Sequence, residues 1–273
     1  MSIIAISADS YSKDKELSEK VGKKIGYECV DQEAILSASE EFGVPKSKLV
    51  RAIEDVPSVF SRGSQRYLAY IEAAFAEYML KDNIVYSGLV GYPLIQGVSH
   101  VLKVRIVANL EDRIHLAMKQ ENISEEKARN KILNEDEHWK KWAKAVYGID
   151  ITNSHLYDLV INVGHIQDKD TKDAIETIAG TVKHKKFQPM TYSLECMKNS
   201  ALSCRIRAAL IDIDPKIEVK SDKGAVFVCT KAVKRKKQQQ GLNLKQRVMK
   251  IDGVKHVEVY GEKKLFLSTA HGQ

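Results

Sequence analysis

Long apolar runs are absent from this chain of 273 residues. The N-terminal run at 3–6 is too short for the core of a signal peptide, and no later segment approaches the roughly 18 apolar residues a spanning helix needs. No membrane-spanning helix is implied, and a cytoplasmic protein is expected. Cysteine is scarce: Cys29, Cys196, Cys204 and Cys229 are scattered without a C-x-x-C pair. That spacing argues against a zinc or redox motif and leaves buried, reduced thiols. The eight histidines show no metal-ligand spacing, and His138 beside Trp139 and His155 near Tyr157 read as surface or packing groups. There is no Gly-x-Ser-x-Gly elbow, and no internal repeat or low-complexity tract beyond the three glutamines at 238–240.

What is present is the mix of an ordinary folded protein, 44% hydrophobic and 29% charged. Its charge is unevenly placed. Residues 193–273 carry 17 Lys and Arg against 8 Asp and Glu, whereas the first 192 carry 26 against 28. All of the excess basicity lies in the C-terminal part, which suggests two domains with different partners, one of them anionic.

Residues 3–7 read as a buried strand, followed by a polar turn and a helix over 15–25 with Leu17, Val21 and Ile25 four apart. A short strand at 27–30 precedes helical patterns at 34–41 and 46–52. A long amphipathic segment, 65–80, leads into buried strands at 83–88 and 102–109. Helices follow at 110–118 and 124–142, then a last strand at 158–163 and a helix at 171–184. Alternating strands and helices over about 180 residues predict a parallel sheet covered on both faces. The basic, proline-ended stretch 183–189 reads as a linker. Beyond it come a helix at 199–211, strands at 216–220 and 225–230 around a turn ending in Gly224, a helix at 242–251, and strands at 254–259 and 264–268. These form a small α+β domain.

Ordered motifs in the first part carry a family resemblance. They are the opening strand that ends Ile6-Ser7, the segment Gly26 to Asp31 followed by Gln-Glu-Ala-Ile-Leu, the strand Ile84 to Gly88, the run Val104 to Arg113, and the closing Tyr157-Asp-Leu-Val-Ile-Asn162. Together they resemble the cytidylate-kinase-like family, whose members are P-loop phosphotransferases. The resemblance implies an α/β fold with a P-loop kinase-like parallel sheet flanked by helices over residues 1–185. It also implies ATP and magnesium as cofactors if the chain is active, and CMP or a similar nucleotide as acceptor.

The phosphate loop departs from that pattern. The family reads roughly I-S-x-E-Y-G-S-G-G-R-E-I, and here the three glycines fall on Tyr11, Lys13 and Asp14. Glycines serve such loops because side chains would occupy the phosphate volume and because some positions need positive φ. Asp14 adds negative charge beside the expected phosphate; at about 4 Å and an effective dielectric near 20, a like-charge contact costs about 4 kcal/mol. Two family arginines are also replaced: Gly-Arg becomes Gly88-Leu89, and D-x-x-R becomes Asp136-Glu-His-Trp139. Losing a phosphoryl-gripping arginine commonly costs roughly 10³ to 10⁵ in rate.

The family positions still imply a site. Lys13, Lys15 and Arg113 are candidate catalytic cations, and Ser12, Lys13 and Lys15 the cofactor contacts, with Ser12 as magnesium ligand. Asp31, Gly88, Arg105 and Asp158 match the substrate side. Arg113 alternatively pairs with Glu111 or Asp136, and Asp31 or Asp158 alternatively cap a helix or turn.

The C-terminal segment, 193–270, resembles a BON domain: helix, strand pair around Asp222-Lys-Gly224, helix, then Gly253-Val-x-x-Val257, with Thr230 where a second glycine is usual. Such a domain implies contact with a phospholipid surface or ligand. Lys231, Lys234, Arg235, Lys236, Lys237, Lys245, Arg247 and Lys250 supply an anionic-surface patch within twenty residues. An acidic protein is an alternative partner; the absence of interleaved aromatics disfavours nucleic acid. The expectation is a regulatory, nucleotide-sensing pseudokinase. The alternatives are an active nucleoside monophosphate kinase and a scaffold that binds an anionic surface without nucleotide.

Overall fold

The structure, a computed structural model, describes residues 2–55, 62–164, 168–231 and 238–261. Five parallel strands form the main sheet: β1 (Ile3–Ala8), β2 (Glu28–Asp31), β3 (Ile84–Ser87), β4 (Val101–Val107) and β5 (Leu159–Asn162), in the order β2-β3-β1-β4-β5. Successive side chains of a strand point to opposite faces, so both faces here need covering. Ile4 and Ile6 enter one layer with Leu17 and Val21 of α1 (Asp14–Ile25) and Ala174 and Ile178 of α7 (Asp168–Thr181). Ile3 and Ala5 enter the other layer, against α2 (Gln32–Ala38), α3 (Lys46–Glu54) and α4 (Arg62–Met79). This is the predicted α/β sandwich, with helices on both faces.

After β4 come α5 (Leu110–Glu121) and α6 (Glu125–Tyr147), which form a hairpin beside the carboxyl ends of the strands. Ser124 caps α6 by accepting the Lys127 amide, and Gly148 ends it in the left-handed conformation. Trp142, fully buried, donates its indole N–H to the Ala52 carbonyl at 3.3 Å, and His138 meets the Ile53 carbonyl at 3.3 Å. α6 is thus pinned to α3.

The stretch 183–189 differs from its reading as a linker. Val182 and Phe187 are buried, and Lys185–Phe187 form a 3-10 turn. The next helix, α8 (Thr191–Leu210), begins directly after Pro189, because the Ser193 hydroxyl accepts the Met190 amide at 3.1 Å. Its first turns escape pattern reading because α8 lies between α4 on one side and the second sheet on the other, so no single apolar stripe marks it.

That sheet holds β6 (Glu218–Asp222), β7 (Ala225–Cys229) and β8 (His256–Tyr260), with β6 antiparallel and β8 parallel to β7. Lys223 and Gly224, both at positive φ, make the two-residue hairpin turn. A Cβ on Gly224 would stand 2.8 Å from the Gly253 carbonyl. The remaining helix, α9 (Gln238–Met249), starts four residues before its expected position. The strand expected at 264–268 lies outside the described residues.

Three ion pairs run along the α4–α8 seam: Arg66 with Asp212 at 3.0 Å, Glu72 with Arg207, and Glu77 with Arg205. Glu72 is buried, and that burial pushes its carboxyl above the ordinary value against the pull of Arg207.

Candidate functional site

A parallel sheet collects its loops at the carboxyl ends of its strands, so the β1–α1 turn, the end of β3 and the α5–α6 hairpin meet there. A cleft of about 350 Å³ opens between them, lined by Asp9, Asp14, Asp31, Arg105, Glu135 and Trp139 among others. A second, of about 540 Å³, lies on the other side of the loop between Tyr11, Lys13, Glu19 and Leu116. Asp14, Lys15 and Glu135 border both.

The loop keeps the backbone that glycines would supply. Tyr11 has φ 59° and Lys13 has φ 60°, at two of the positions where the family pattern has glycine. A left-handed non-glycine residue costs roughly 1–2 kcal/mol, and surrounding contacts maintain it. Asp136 accepts the Ser10 amide at 3.3 Å and the Arg113 guanidinium at 2.9 Å, while Arg113 also donates to the Ser10 carbonyl at 3.2 Å. Ser12, buried, donates to the Asp9 carbonyl at 2.7 Å. Tyr11 turns away from the cleft beside β3; its hydroxyl bonds Glu121, and Lys131 lies 5.6 Å from its ring centre. Because Lys13 makes no side-chain cap, Lys13→Gly is expected to raise unfolding stability by about 1 kcal/mol. Chemical denaturation checks this; a loss of stability would show that the strain lies elsewhere.

The cations expected to hold phosphate are already engaged. Arg105, buried on β4, pairs with Asp9 at 2.6 Å. Arg113, also buried, is committed to Asp136, leaving its Nε atom without a partner. Lys15, largely exposed, meets Asp31 at 3.2 Å. Partial burial raises the Asp31 carboxyl, but the Ala34 amide and Lys15 more than offset it and hold it below the ordinary value. Partial burial lifts Glu135 above its ordinary value. Asp14, the first residue of α1, accepts the Ser87 hydroxyl at 3.1 Å, and no cationic side chain among the described residues pairs with it. A helix N-terminus carries free amides and attracts negative charge. Here the protein supplies that charge itself.

The 350 Å³ cleft thus has five carboxylates, Asp9, Asp14, Asp31, Glu33 and Glu135, against two cations, Lys15 and Arg105. Leu89, Trp139 and Ile151 give it an apolar side. Gly88 lines it too, with φ 153° and the Tyr86 hydroxyl 2.5 Å from where a Cβ would stand. The end of β3 therefore admits no side chain at Gly88, and the residue after it presents leucine.

The structure brings together Lys13, Lys15, Asp31, Gly88 and Arg105 around the loop, and turns Ser12 inward. Asp158 does not line either cleft: it sits just before β5, bound by Lys103 and Lys186. Burial alone would raise its carboxyl; Lys186, the Lys103 amide and the Lys103 ammonium together hold it low. In the basic patch, Lys245 is exposed, whereas Arg247 donates to the Ala209 carbonyl at 2.8 Å. Lys234, Arg235, Lys236 and Lys237 lie outside the described residues. Sequence reasoning missed Asp9, Ser87 and Glu135. Asp9 alone carried a signal, the acidic position of the family loop.

Residues 3–165 match the cytidylate kinase-like family. The chain belongs to that family. Its relatives include cytidylate kinase of Thermococcus kodakarensis, 26% identical over 164 residues, spanning 60% of this chain and 80% of that one. Cytidylate kinase of Ignicoccus hospitalis is 25% identical over 164 residues, spanning 59% of this chain and 90% of its own. Among solved structures, an uncharacterized protein from Eubacterium ventriosum superposes with a TM-score of 0.54 at 14% identity, covering 68% of this chain and all of that one. This last likeness concerns the fold alone. Among the described residues, no helix is long and apolar enough to cross a membrane, and no group of three His, Cys, Asp or Glu is placed to hold a metal.

Proposed function

We propose that this member of the cytidylate kinase-like family binds a nucleotide without efficiently transferring its phosphoryl group, and so acts as a sensor. The observation that carries the reading is the neutralised loop: Arg105, Arg113 and Lys15 are each held by a carboxylate, while Asp14 occupies the N-terminus of α1. Phosphoryl transfer rests on positioning and on cations aimed at developing charge. Here the positioning survives and the charge does not.

The loop backbone suits a phosphate, because residues 14–16 present first-turn amides at a helix N-terminus. The side chains do not suit magnesium-assisted transfer. The Ser12 hydroxyl is spent on Asp9, and an aspartate replaces the last loop glycine. ATP would accordingly be held by backbone amides with help from Lys13 and Lys15, both at the edge of the 540 Å³ cleft. The C-terminal unit, in helix-strand-strand-helix-strand order, is proposed as a BON-like module that reports the bound state to an anionic surface or acidic partner through its basic residues.

The preserved left-handed backbone at Tyr11 and Lys13 favours a nucleotide-binding loop over a purely structural one, since its strain has no other evident use. Isothermal titration with ATP and magnesium checks this. Saturable one-to-one binding is expected, and absence of heat up to millimolar ATP would leave the scaffold reading in its place.

A further inference from the structure

We infer that the 350 Å³ cleft accepts an unphosphorylated, donor-rich ligand with one flat face, a nucleoside-like molecule, and discriminates against its phosphate ester. The inference rests on the sensor reading and names the ligand class of the 350 Å³ cleft, which shares Asp14, Lys15 and Glu135 with the 540 Å³ cleft proposed for ATP.

A phosphate monoester carries close to two negative charges near neutral pH and calls for arginine or free amides. The cleft is lined by five carboxylates and two cations; Lys15 and Arg105 are paired with Asp31 and Asp9, Glu33 with Lys46 and Glu135 with Lys131, which leaves Asp14 as the carboxylate with no described ion-pair partner. Carboxylates accept hydrogen bonds and donate none when ionised, so they suit hydroxyl and amine groups. Asp14 is the best placed, since one serine hydroxyl is its only described side-chain partner. Trp139 and Leu89 stand where the family pattern has arginines, and with Ile151 they provide apolar surface for a flat ring. Both losses of arginine thus become gains of apolar contact. The volume suits a ligand at the small end of the range for such sites.

The position of Trp139 supports a binding wall. Its ring stacks edge-on with Trp142, which is locked by the bond to Ala52, and with His138, which is held by Ile53. The side chain therefore meets a ligand in a fixed orientation, at little entropic cost on binding.

Cytidine and CMP differ only in the phosphate, so titrating each into the full chain isolates the claim. Cytidine is expected to bind roughly tenfold or more tightly than CMP. Asp14→Asn is expected to narrow that ratio by strengthening CMP, and Trp139→Arg to reverse it. Circular dichroism and ATP titration on each variant establish that it is folded. CMP binding as tightly as cytidine, or no cytidine binding at millimolar concentration, would overturn the inference. ATP binding measured on the same sample keeps the two questions separate: ATP bound without cytidine sinks only the ligand class, whereas loss of ATP binding sinks the sensor reading.

Discussion

Replacing Asp14 with asparagine is expected to raise the affinity for ATP and magnesium by roughly tenfold to a hundredfold. The substitution removes one negative charge from the first turn of α1 and keeps an oxygen to accept the Ser87 hydroxyl, so the loop has no reason to move. At about 4 Å and an effective dielectric near 20, a unit charge opposing a phosphate costs about 4 kcal/mol, and screening at this half-exposed position reduces the recoverable part. Asp14→Gly removes the same charge and restores the family residue, at the expense of the Ser87 contact, and is expected to gain at least as much affinity. Titration of both variants against the parent chain is the measurement. Unchanged affinity in both would show that the cleft is closed to triphosphate by something other than Asp14.

Arg207→Met is expected to destabilise the protein by about 3–5 kcal/mol, the usual cost of leaving a buried charge alone. For a chain of this size that corresponds to a fall in Tm of about 10 °C. Glu72 is buried in the α4–α8 seam, and Arg207 is its only described ion-pair partner. The sign with pH follows from the raised carboxyl. An acid whose folded pKa exceeds its unfolded value binds its proton more readily when folded, so the penalty is full above the folded pKa. It fades as pH falls toward the ordinary 4.5. The variant's deficit is therefore largest at neutral pH and shrinks on acidification. Glu72→Leu combined with Arg207→Met is expected to recover most of the loss, since an apolar pair of similar volume often matches a buried ion pair. Thermal melts from pH 7 to 4.5 read this directly, and a deficit that grows on acidification would contradict the assignment.

Much of the main sheet was legible because its strands are continuous apolar runs bounded by polar turns: 3–7, 83–88 and 102–109 each fall on a strand of the structure. The start of α8 was not legible, because a helix covered on two sides shows no single stripe, and Phe187 buries a segment whose lysines read as a linker. At the site, the family resemblance located Lys15, Asp31, Gly88 and Arg105. Asp136 was already an alternative partner for Arg113, and the structure has that pair; Arg105 with Asp9 and Lys15 with Asp31 were not legible, because only the fold brings those residues together. Nor could the resemblance show that Tyr11 and Lys13 adopt the glycine conformation, which only the fold around them enforces.

A phosphate loop that keeps its shape and has lost its charge should bind ATP without turning it over, and ADP release from ATP and magnesium with CMP present, measured on a sample already shown to bind ATP, decides it. The expected result is binding with no ADP above the background of a chain lacking the loop lysines. Turnover at the roughly 1–100 per second typical of kinases would contradict it and make the chain a working nucleotide kinase.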